Sequence, residues 1–138
     1  FLSALRKKFF KVFYFFMKKI LILILCLFSF EALGVDKSTT FSIETFNKAQ
    51  EEGKTVVVNS WNETCYTCKK QIKILDQAEK KFKDILFLSF EQTKDKEIAK
   101  YLEIEYWTTI VVYKNNKEIS RSIGQTDKAT IYSIISKS

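Results

Sequence analysis

Residues 55–69 read TVVVNSWNETCYTCK, and the fold is decided there. Val56, Val57 and Val58 are apolar on both faces of an extended chain, which suits a strand buried within a sheet. Cys65 and Cys68 follow after a short polar stretch. From Cys68 onward, Ile72, Leu75, Ala78 and Phe82 recur at steps of four and three, leaving Lys69, Lys70, Lys73, Lys80 and Lys81 largely outside. That spacing predicts an amphipathic helix beginning at the first cysteine, with Thr64 as its candidate N-cap.

Working outward, Ile43, Phe46 and Ala49 fall at helical spacing after Ser42, a candidate N-cap, and Gly53 closes that helix. Residues 85–90 (ILFLSF) predict a second buried strand and residues 97–102 a short helix with Ile98, Ala99 and Leu102 inward. Residues 109–114 (TIVVYK) and 118–123 predict two strands flanking Asn115-Asn116-Lys117, a hairpin turn because Asn tolerates positive φ. Thr126 or Asp127 caps a last helix carrying Ile131, Ile134 and Ile135. Parallel βαβ units followed by an antiparallel hairpin make an α/β sandwich, a central mixed sheet flanked by helices.

The 138 residues suffice for one domain and a short leader. Met17-Lys18-Lys19 precedes an apolar run over residues 20–30 (ILILILCLFSF), followed by Ala32-Leu33-Gly34. This is the basic, apolar and small-residue order of a secretory signal peptide. Residues 1–34 are therefore expected to be a leader cleaved after Gly34, with residues 1–16 upstream of the true start at Met17, and residues 35–138 the domain. The apolar run is shorter than the roughly 20 residues a spanning helix needs. A leader that escapes cleavage and anchors the chain to a membrane is the alternative to a periplasmic or otherwise exported protein.

Formal charge is +7, but six of the 23 basic residues and one of the 16 acidic residues lie in the first 34. The remainder is nearly balanced and has no basic stripe interleaved with aromatics, so nucleic acid is not an expected partner. The chain contains no histidine and no proline. Zinc enzymes and hydrolases that use an imidazole base are excluded in their usual forms. Cys26 lies in the leader, leaving Cys65 and Cys68, which are too close in sequence to staple a small secreted fold.

A C-x-x-C pair after a buried strand and at the opening of a helix suits redox chemistry. Unpaired backbone N–H groups and the helix dipole favour a thiolate at the first position. The second cysteine, one turn on, is close enough to form a disulfide with it. Two thiolates alone supply half a tetrahedral metal shell, so a metal site would need a dimer. A structural pair is the remaining alternative, and no cofactor is implied.

Residues 61–69 (WNETCYTCK) resemble the W-A-x-W-C-x-x-C-K segment of the thioredoxin family. Tyr101-Leu102-Glu103-Ile104 and residues 108–116 (TTIVVYKNN) are similar to that family's helix end and its P-T-L-x-x-F-K-N-G strand and turn, and Gly124 matches its later glycine. The likeness covers roughly residues 41–138 and implies a thiol–disulfide oxidoreductase acting on protein thiols and disulfides, with a redox partner protein. It makes Cys65 the attacking thiol and Cys68 the resolving thiol. Trp61, an aromatic wall beside them, Tyr66, Thr67, Trp107 and Thr108 become candidate substrate-binding residues.

Three positions depart from the family pattern. Asn59 stands where many thioredoxins bury an aspartate that moves protons, and an amide cannot titrate. Thr108 replaces a cis-proline, and Tyr66-Thr67 replaces the usual dipeptide between the cysteines. A non-proline cis bond costs about 2.5–4 kcal/mol, so the Trp107–Thr108 peptide is expected to be trans and its loop shifted. Restoring proline at Thr108 is then expected to alter turnover more than the fold. A binding or scaffold module with little redox turnover is the rival function.

Overall fold

The computed structural model describes residues 37–137, together with Tyr14 and Met17. The apolar run over residues 20–30, Cys26 and the expected cleavage point after Gly34 lie outside the described residues. The chain divides into Phe1–Leu33 and Gly34–Ser138, and all the elements named below belong to the second unit. No helix among the described residues is long and apolar enough to cross a membrane.

Eight elements follow one another: α1 (Ile43–Glu51), β1 (Val56–Trp61), α2 (Tyr66–Lys81), β2 (Leu86–Glu91), α3 (Lys96–Tyr101), β3 (Thr109–Lys114), β4 (Lys117–Ile123) and α4 (Lys128–Ser136). The sheet order is β2-β1-β3-β4, with β1 parallel to β2 and antiparallel to β3, and β3 antiparallel to β4. This is the expected α/β sandwich with a mixed sheet.

The valine run occupies a central strand, and the period of two divides it between layers. Val56 and Val58 pack with Phe41, Phe46, Phe90 and Val111 on one face, while Val57 packs with Leu75, Ala78, Ile110, Ile131 and Ile135 on the other. All three valines are at most 1% exposed, and each contributes roughly 1.5–3 kcal/mol through burial. The strand that leads into Cys65 is thus firmly anchored from both sides.

Local signals resolve as the side chains available to each end dictate. Ser42 Oγ accepts from the Thr45 amide at 3.1 Å, and Gly53 closes α1 at φ +71°. Asp127, rather than Thr126, caps α4 by accepting from the Thr130 amide at 2.8 Å. Asn115 and Asn116 adopt φ +52° and +59°, the two left-handed positions of a tight hairpin turn, so β4 begins at Lys117, one residue earlier than the sequence suggests.

Candidate active site

Cys65 and Cys68 are joined by a disulfide with Cα atoms 5.2 Å apart. Cys65, not Thr64, is the N-cap of α2: its Sγ accepts from the Cys68 amide at 3.0 Å. Thr64 is diverted because its amide and hydroxyl both donate to Asn62 Oδ1, at 3.0 and 2.8 Å. An otherwise unpaired helix N–H therefore serves the first sulfur, where it favours negative charge. Cys65 is partly exposed, whereas Cys68 is fully buried against Trp61 and Ile72. Only the first sulfur is presented to a partner.

The loop before β3 reaches both sulfurs. Thr108 Oγ1 lies 3.3 Å from Cys65 Sγ and 3.0 Å from Cys68 Sγ. The Trp107–Thr108 bond is trans, since the described residues contain no cis peptide. Thr108 instead takes φ +60°. That conformation is costly for a β-branched residue, about 1–3 kcal/mol, and persists only where the surroundings over-determine it. They do so here: the Thr108 amide donates to the Ser60 carbonyl at 2.9 Å, and its own carbonyl accepts from Gly124 N at 2.8 Å and Gln71 Nε2 at 3.2 Å. The hydroxyls of Ser60 and Thr109 both donate to the Tyr106 carbonyl, at 2.8 and 2.7 Å, and tie the loop to the end of β1.

Two side chains essential to this arrangement had no assigned role in the sequence reading. Gln71, fully buried, accepts from Asn59 Nδ2 at 2.7 Å and donates to the carbonyls of Thr108 and Gln125. A polar amide three residues after Cys68, on the helix face carrying Ile72 and Leu75, was the available signal. Glu91, 2% exposed, accepts from Asn62 Nδ2 at 3.0 Å and from the Thr93 and Lys94 amides at 2.7 Å each. Burial alone works most strongly against its ionisation, but the Thr93 hydroxyl and the amides of Lys94, Thr93 and Glu63 together hold its pKa below the usual carboxylate value. The carboxylate thus braces the loop that precedes Cys65.

The remaining candidates divide by exposure. Tyr66 and Thr67, between the two cysteines, and Trp107, next to Thr108, are exposed, while Thr108 is 4% and Trp61 3% exposed. Trp61 forms the wall behind the pair. Glu63, one of the acidic groups near Cys65, is paired with Lys94 at the surface.

The Thioredoxin family profile matches residues 37–137. A thioredoxin H-type from Fagopyrum esculentum is 24% identical over 91 residues, covering 66% of this chain and 78% of the relative. Thioredoxin-2 from Saccharomyces cerevisiae is 25% identical over 96 residues, covering 69% of this chain and 92% of the relative. Among solved structures, Trxlp from Edwardsiella tarda superposes with a TM-score of 0.66 at 24% identity, over 69% of this chain and 94% of that one, a likeness of fold. With the profile spanning the whole described domain and the cysteine pair at the opening of α2, the chain belongs to the thioredoxin family.

Proposed function

We propose that this protein exchanges its Cys65–Cys68 disulfide with thiols of other proteins in an exported compartment. Thiol–disulfide exchange is the chemistry of its family, and the observation that carries it here is the unequal placement of the two sulfurs. In the reducing direction the Cys65 thiolate attacks a substrate disulfide, one substrate sulfur leaves with the electron pair, and a mixed disulfide forms. Cys68 then attacks Cys65 Sγ, the second substrate sulfur leaves, and two electrons have passed to the substrate. A redox partner protein resets the pair. Run backwards, the same steps oxidise a dithiol.

The compartment rests on the sequence: basic residues at Lys18 and Lys19, an 11-residue apolar run and small residues at Ala32 and Gly34. Export also suits a protein that works through disulfides. The mature protein recovered from the exported fraction should begin at Val35 by mass spectrometry, and a mature form retaining residues 20–30 would favour an anchor instead. Turnover of a protein disulfide should vanish in Cys65→Ser. The exposed Tyr66, Tyr106 and Trp107 favour a second reading, a polypeptide-binding module. Partner binding that persists in Cys65→Ser, with no turnover in the unaltered protein, would support it.

A further inference from the structure

We propose that the Thr108 hydroxyl is a catalytic residue of this chain, donating a hydrogen bond to the Cys68 sulfur whenever that sulfur carries negative charge. This rests on the thiol–disulfide reading above and assigns a role within it.

Cys68 is 0% exposed, so water offers its thiolate little relief, and a buried charge without a hydrogen bond is strongly disfavoured. The helix does not supply the bond, because the Cys68 amide is committed to Cys65 Sγ. Asn59, on the strand behind, turns its amide to Gln71 and has no proton to exchange. Among the described residues the Thr108 hydroxyl, at 3.0 Å, is the hydrogen-bond partner of Cys68 Sγ. A hydroxyl combines one donor with two lone pairs, so it can turn its proton to whichever sulfur is charged. The backbone bonds to Ser60, Gly124 and Gln71 fix the direction in which it does so.

In the resolving step, the Cys68 thiol gives up its proton to the substrate sulfur that is leaving, and Thr108 holds the charge that builds on Cys68 Sγ. Its electron pair forms the bond to Cys65 Sγ while the bond from Cys65 to the substrate sulfur breaks. The substrate sulfur leaves with that pair and carries the proton that Cys68 gave up. Thr108 ends the cycle with the proton it began with. In the opposite direction an incoming thiolate attacks Cys65 Sγ, and the hydroxyl receives the charge developing on Cys68.

The test compares Thr108→Ala with Thr108→Ser, neither of which is β-branched, so the two differ in the hydroxyl alone. Each is placed in a Cys65→Ser background, and the ionisation of Cys68 is followed by thiolate absorbance against pH. Alanine should move the midpoint up by about one pH unit, a tenfold loss of thiolate below it. Serine, which keeps the hydroxyl, should restore it to within about twofold of the unaltered residue, whereas loss of a hydrogen bond to a charge is felt as about tenfold or more. Thr108→Gly, which suits the left-handed backbone, repeats the alanine measurement in a chain relieved of strain. Equal midpoints for Ala, Gly and Ser overturn the proposal whether or not the protein turns over disulfides. Absence of turnover in the unaltered protein would instead sink the oxidoreductase reading.

Discussion

Asn59 Nδ2 donates to Gln71 Oε1 across 2.7 Å, joining the central strand to the helix that carries both cysteines. Both residues are buried, and the contacts of Asn59 Nδ2 to the Ser60 and Thr109 carbonyls are longer, at 3.3 and 3.4 Å. A buried amide deprived of its partner costs about 1–3 kcal/mol. Gln71→Leu should lose about that much stability in urea unfolding. A double-mutant cycle with Asn59→Ala should show a coupling on the order of 1 kcal/mol. Additive losses would mean the two amides act independently.

Exposure orders the two thiols. Cys65 stands at the helix end with its sulfur receiving an N–H, while Cys68 is sealed beneath it. Alkylation of the reduced protein at neutral pH should modify Cys65 first, read by peptide mass spectrometry. Cys68→Ser should accumulate mixed disulfides with substrate because the resolving sulfur is gone. Preferential labelling of Cys68 would reverse the roles.

Proline at Thr108 is not the mild change the family pattern suggests. Proline holds φ near −65°, whereas the chain stands at +60° there, and it removes the N–H that donates to Ser60. Thr108→Pro should cost at least about 2 kcal/mol of stability as well as altering turnover. A variant with an unchanged urea midpoint would show that the loop reorganises freely.

Glu91 links stability to acid. Its pKa in the folded chain lies below the ordinary value, so the unfolded chain binds its proton first as pH falls. Its contribution is complete above about pH 4.5 and is lost as pH drops through the lowered folded value. Glu52, Glu118 and Asp127 are lowered too and add slope of the same sign. Glu91→Gln should be less stable at neutral pH and should flatten the fall of the urea midpoint below pH 5. An unaltered slope would assign the acid sensitivity to the surface carboxylates.

Much of this molecule is written locally. The valine run, the four-and-three spacing after Cys68, the paired asparagines of the hairpin and the adjacency of the two cysteines each depend on residues a few positions apart. Such patterns set the dihedral preference and the buried face of one element at a time, and all eight elements follow from them. Small choices already needed neighbours: Cys65 rather than Thr64 caps α2 because Asn62 occupies the Thr64 groups first.

What surrounds the sulfurs was decided by the sheet. The register pairs Ser60 with Thr109, which sets Thr108 at the strand end that leads into Cys65. That register is what aims a hydroxyl 40 residues from Cys68 at its sulfur. Gln71 meets Asn59 across 12 residues, and Glu91 reaches Asn62 across 29. A polar side chain in a sequence carries its donors and acceptors with it, but its partner is whichever group strand order and helix packing bring within about 3 Å. The sequence determined by itself that the cysteines open a helix behind a buried strand. Only the tertiary structure decided which hydroxyl, amide and carboxylate stand around them, because those contacts cross between elements that no local period connects.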